Sequence, residues 1–236
     1  AKVGGVIAGA FAVDKIMEFG GAVIETTSAF QRFESVLTNT LGSKSQARKA
    51  LDMITEFAAT TPFSVVELTD SFVRLANQGF KPTSDEMRKL GDLASSTGKE
   101  FVMLAEAIID AQVGEFERLK EFGIRAEKQG DQVTFTFKNV KTQVDFTSDA
   151  IQNYILSLGD LQGVSGAMVG ISKTLGGQIS MLGDAFDTLK NEIGEALMPI
   201  LSTAIDKFRS LFESITRLLN PQKALLNDFK ATKKEL

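Results

Sequence analysis

The stretch from Ile54 to Phe80 constrains this chain more than any other, because a proline and a helix-start signal stand back to back between two amphipathic runs. Upstream, Ala47, Leu51, Ile54 and Ala58 recur at helical spacing. Pro62 stops that helix, since proline has no amide donor and pushes Thr61 toward an extended conformation. Phe63 is left to pin the corner. Ser64 and Glu67 then form the S-x-x-E spacing of a capping box, which starts a second helix. This helix is expected to bury Leu68, Phe72 and Leu75 and to stop at Gly79, where a left-handed backbone is cheap.

The apolar fraction, 43% of 236 residues, is enough to build a core. A net charge of −4 argues against a sequence-independent grip on nucleic acid, which needs clustered Lys and Arg. Only the tail around Lys230, Lys233 and Lys234 is locally basic. The chain has no Cys and no His, so thiolate chemistry and the commonest general base and metal ligand are all missing. It opens at Ala1 inside a helical pattern, which reads as a segment cut from a longer protein.

The expected fold is mainly α: a helical subdomain with one small β-hairpin, and long amphipathic, coiled-coil-like helices at both ends. Residues 1–42 read as the first long helix. Val3 to Ile24 is apolar, but Asp14, Lys15 and Glu18 interrupt it, and a membrane span wants roughly 20 nearly uncharged residues. Phe19, Val23, Phe30, Phe33, Leu37 and Leu41 instead give it an amphipathic stripe.

Residues 43–158 form the compact subdomain. After the proline corner, Thr83 and Glu86 give another capping box, and Phe101 to Gln112 gives a further helix. Then the period changes to two. Val133, Phe135 and Phe137 alternate with threonines, and Gly130-Asp131 supplies a hairpin turn, with Ala126 opposite Phe135 and Ile124 opposite Phe137. The hairpin lies near 124–137, and Thr142, Val144 and Phe146 suggest a third strand. Ser148 or Asp149 is expected to cap a helix carrying Ile151, Tyr154, Ile155 and Leu158.

Residues 159–178, rich in glycine and serine, read as a flexible joint. Residues 179–220 read as one long kinked helix: Ile179, Leu182, Phe186, Leu189 and Ile193 step like a coiled-coil seam. Pro199 sits where the step changes and should kink it. Ile193, Leu197, Leu201, Ile205, Phe208 and Phe212 are the candidate interface, and the long helices point to a homo-oligomer. Residues 221–236 form a polar, basic tail.

Catalytic signals are weak. Acidic residues fall mostly on polar helix faces and none appears in an apolar setting that would raise its pKa for acid work. The Gly-Gly pairs lack the Gly-Lys-Ser/Thr of a phosphate loop. Ser43-Lys44-Ser45 and Ser172-Lys173-Thr174 read as loop or cap residues.

The order of several motifs resembles the phage tail tape measure proteins. They are Phe33-Glu34 closing a glycine-rich first helix, the Thr60-Thr61-Pro62-Phe63 hinge, Leu75 to Gly79, Phe122-Gly123-Ile124 before the hairpin, and Ile193-Gly194-Glu195-Ala196-Leu197 followed by Pro199. The resemblance implies one segment of a much longer protein from a phage or prophage. It implies a structural role in tail assembly and length determination, and in genome delivery through the envelope, with no enzymatic activity, no cofactor and no metal. Implied partners are the tail tube protein, tail assembly chaperones and tip or baseplate proteins, with membrane contact during ejection and no sequence-specific nucleic acid. The implied location is the tail tube interior of the virion, and the host cytoplasm during assembly. On that reading Thr61, Pro62, Phe63 and Pro199 are structural hinges. The alternative is a membrane-active helical protein that inserts through Val3 to Ile24 or the segment 163–182.

Overall fold

A computed structural model describes residues 2–219, with side-chain surroundings for 19–214 except 175, 201, 204, 208 and 212. The chain is mainly helical with one small antiparallel sheet. Its helices are α1 (Lys2–Leu41), α2 (Lys44–Ala59), α3 (Val65–Asn77), α4 (Ser84–Ser96), α5 (Phe101–Gln112), α6 (Ser148–Leu158), α7 (Ala167–Ser172) and α8 (Leu175–Leu219). The strands β1 (Ile124–Gln129), β2 (Gln132–Phe137) and β3 (Val140–Asp145) follow a short 3-10 helix, Arg118–Phe122. Two compact units result: Glu25–Lys190, and the start of α1 up to Ile24 with α8 from Asn191 onward. The first of these holds the hydrophobic core.

Most helices in that unit carry their own start signal. Ser43 accepts the Gln46 amide at the head of α2, and Thr83 and Glu86 form the full reciprocal box at α4. At α6 the cap is Thr147, which accepts the Ala150 amide at 3.3 Å, rather than Ser148 or Asp149. The α3 stop is as expected: Gly79 has φ +86°, and the Phe80 amide reaches back to the Leu75 carbonyl at 3.0 Å. That backward bond is the signature of a Schellman ending. Leu68, Phe72 and Leu75 are all buried. In α5 the buried set Phe101, Leu104, Ala105, Ala107, Ile108 and Ala111 covers more than one stripe, as befits a helix that contacts α3, α4 and α6.

The sheet has the order β1-β2-β3, with Ile124 opposite Phe137 and Ala126 opposite Phe135. Alternation puts Val133, Phe135 and Phe137 on the buried face and Thr134 and Thr136 on the half-covered one. Phe135 stacks on Tyr154 of α6 with centroids 4.4 Å apart and meets the edge of Phe116 at 6.0 Å. The third strand is present, but Phe146 lies just past it, under the Lys128 ammonium at 3.5 Å. Lys138 and Asn139, both at positive φ, make the second turn. The Lys138 ammonium steadies it by donating to the Gln162 carbonyl at 3.2 Å.

The segment 159–178, read as a flexible joint, is built into the core. It contains α7, which packs on α4, and it buries Val164 and Met168. Its glycines also allow close approach. A Cβ on Gly177 would lie 2.4 Å from the Ile171 carbonyl oxygen, where the chain folds tightly from α7 into α8.

Candidate functional site

The α2–α3 corner is where the predicted hinge residues meet. Thr60 ends α2 with its amide on the Phe57 carbonyl, the Thr61 amide reaches the Ala58 carbonyl, and Pro62 then offers no donor. Phe63 turns inward, 5% exposed, and its ring meets the edge of Phe101 at 5.5 Å. Gly91 of α4 makes room for it: a Cβ there would be 3.3 Å from the Phe63 ring and 2.8 Å from Met168 Sδ. Thr61 is buried with its hydroxyl unpaired. Phe63 is thus packed against α5 through Phe101 and beside Gly91 of α4.

The start of α8 is bonded to this corner. Ser180 Oγ donates to the Pro62 carbonyl at 3.4 Å, and the Val65 amide donates to Asp184 Oδ1 at 3.3 Å. Asp184 is therefore an acceptor for the first turn of α3, where backbone amides have no partner within their own helix. Burial pushes its pKa up; the Val65 hydrogen bond opposes this and the nearby Asp187 adds to it. Ser180 and Asp184 define the seated face of α8. The seam residues lie elsewhere on the helix: Ile179, Leu182, Phe186 and Leu189 are each about half exposed or more.

Two further carboxylates act in the same way. Glu67 completes only half of its expected capping box. The Ser64 hydroxyl accepts the Glu67 amide at 3.2 Å, and the Glu67 carboxylate bonds chiefly to α5. There it accepts the amides of Phe101 at 2.6 Å and Val102 at 3.3 Å. Asp92, 2% exposed, accepts the Met168 amide at 3.0 Å at the head of α7 and pairs with Arg88 at 3.2 Å. The expectation that no acidic residue sits in a setting that would raise its pKa is thus corrected for Asp184 and Glu67. Burial raises the pKa of Glu67, against the Val102 and Phe101 hydrogen bonds that lower it, with the Glu100 charge adding to the rise.

The Ser-Lys pairs are caps and turns. Ser43 caps α2, Ser172 Oγ donates to the Met168 carbonyl, and Thr174 Oγ1 accepts the Gly177 amide. Among the described residues no group of three or more His, Cys, Asp or Glu is placed to hold a metal ion. Among them, too, no helix is long and apolar enough to cross a membrane. The segment 163–182, named above for insertion, contains α7 and the start of α8.

Comparison with protein-family models, curated proteins and solved structures finds no match.

The remaining predicted residues lie in the second unit. Pro199 is inside α8, and its carbonyl accepts the hydroxyls of Ser202 and Thr203 at 3.1 and 2.8 Å. Ile193 is half-buried, and Leu197 and Ile205 are exposed. Leu201, Phe208 and Phe212 belong to α8, but their side chains lie outside the described residues, as does the whole tail 221–236. Sequence reasoning missed the three carboxylates that cap other helices. A signal was there for two of them: α5 starts at Glu100 and α7 at Gly166 with no side-chain cap of their own. A buried helix start without a local cap requires an acceptor from elsewhere.

Proposed function

We propose that this chain is a structural segment of a phage tail tape measure protein, acting in tail assembly and length determination and in genome delivery through the envelope. The observation that carries the reading is the disposition of α8. One face is bonded to the Thr-Pro-Phe corner through Ser180 and Asp184, and Ile179, Leu182 and Leu189 of the heptad-spaced stripe are about half exposed or more. A long helix anchored by a polar face and open along an apolar seam is suited to bundling with parallel copies of itself. The order of the T-P-F hinge, the F-G-I turn and the G-E-A-L-x-P segment supports the same reading.

The role is structural rather than enzymatic and needs no cofactor. The partners are the tail tube protein, tail assembly chaperones and tip or baseplate proteins, in the virion and, during assembly, in the host cytoplasm. The test is in-frame removal of whole heptads from α8 in the parent gene. Tails should shorten by about 1.5 Å per residue removed, the helical rise, as measured by electron microscopy of the particles. Tails of unchanged length, or purified tails that contain no peptides of this chain, would overturn the reading.

A further inference from the structure

The surface of the Glu25–Lys190 unit contains a cleft of about 600 Å³ between α1, α3 and the start of α5. Its walls are aliphatic and aromatic: Phe33 and Val36 from α1, Val66 and Val73 from α3, and Val102 from α5. Val66 is 61% exposed and Val36 is 45% exposed. Helix propensity does not account for valine at these open positions, because β-branching costs side-chain freedom against the preceding turn. Cover by a partner would account for it.

The polar groups of the cleft have one sign. Glu67, Asp70 and Glu100 line it, and no Lys or Arg does. Asp70 is neutralised by Arg74 at 2.7 Å, and Glu67 is held by the α5 amides. Glu100 makes no capping bond to its own helix. Thr69, also in the lining, is buried at 2% exposed and leaves Glu100 as the open polar group of the cleft.

We propose that this cleft is a docking groove for an amphipathic helix of a partner protein, with aliphatic residues against the valine walls and a lysine or arginine facing Glu100. This is the helix-in-groove mode, in which side chains three and four apart anchor one face of the ligand. Opposite charge at the edge fixes its orientation and speeds encounter. The groove is distinct from the α8 stripe and does not depend on the chain being a tape measure segment.

The test is fluorescence anisotropy with the full chain and two labelled helical peptides, one with leucines on one face and lysines on the other, the second with glutamates for the lysines. The leucine-lysine peptide should bind, more weakly as salt rises, and the leucine-glutamate peptide should bind at least tenfold less tightly. Val66→Gln and Glu100→Lys should each weaken the first peptide tenfold or more; both positions are exposed, so the fold is retained. Leu182→Gln, on the α8 stripe, should leave binding unchanged. Equal binding of the two peptides, indifference to Val66→Gln and Glu100→Lys, or loss of binding through Leu182→Gln would each overturn the proposal.

Discussion

The Glu67 carboxylate on α3 accepts the backbone amide of Phe101 at 2.6 Å and so caps a helix that begins 34 residues further along the chain. Removing that acceptor leaves the Phe101 and Val102 amides without a partner. Glu67→Ala should therefore cost about 1–2 kcal/mol, the usual range for a lost helix cap. Glu67→Gln keeps a carbonyl oxygen in place and should cost less. Urea melts of the two variants give the comparison.

The same residue predicts a pH dependence. Because burial raises the Glu67 pKa above 4.5, the folded state binds the proton more tightly than the unfolded one. Its contribution is then fully present below pH 4.5 and is lost as pH rises through the raised folded value. Asp184 has the same sign, while Asp85 and Asp160, lowered chiefly by Arg88 and Lys89 respectively, contribute above pH 3.8 and lose it as pH falls. Glu67→Gln should remove the first contribution alone. Its stability, relative to the unsubstituted protein, should improve from pH 4.5 toward neutrality; a difference that does not change with pH would contradict the assignment.

Phe63 fills the corner between α2 and α3. Phe63→Ala should lower stability by about 3–5 kcal/mol, the cost of emptying a packed aromatic site. A loss below about 1 kcal/mol in chemical denaturation would show that neighbouring side chains close the gap.

Two glycines should respond in opposite directions to alanine. At Gly159 a Cβ would sit 2.5 Å from the Lys89 carbonyl oxygen, a backbone atom that cannot step aside. Gly159→Ala should destabilise by about 1–3 kcal/mol, as overpacking does. Gly170 lies inside α7 with nothing within 4 Å, so Gly170→Ala should stabilise by about 0.5–1 kcal/mol. Thermal melts of both variants measure the contrast.

The α8 stripe predicts self-association that can be separated from folding. Leu182 and Phe186 are 71% and 51% exposed, so Leu182→Asp with Phe186→Asp should leave the helix content of the isolated chain intact. Sedimentation should nevertheless show a smaller particle, because unpaired charge in an apolar seam is expensive. A mass unchanged by the double substitution would remove the case for a copy-to-copy contact along this stripe.

What was legible in the sequence is what local rules govern. Period-two alternation with Gly130-Asp131 was enough to give the β1–β2 register pair by pair, and Pro62 with Ser64 was enough to place the corner. Lys138-Asn139 lacks the glycine that usually marks a tight turn, which is why the second hairpin was less readable than the first. The glycines of 159–178 looked like slack. Their segment is instead held by Asp92, which contacts Met168 across 76 residues of chain. Which side chains cap α3, α5 and α7 was not legible, even where a missing local cap called for one: an acidic side chain on a helix surface looks identical in sequence whether it faces water or another helix's first turn.

Those long-range caps also determine how the Glu25–Lys190 unit comes apart. The acceptor and donor of each bond are separated by 34, 76 or 119 residues, so no one of these three helices can complete its first turn while the rest of the unit is open. Partial fraying is thereby penalised and unfolding becomes cooperative across α3, α5, α7 and the start of α8. The amide hydrogens of Val65, Phe101 and Met168 should accordingly exchange with solvent together, at the slow rate of global opening, though each sits at a helix end where exchange is ordinarily fast.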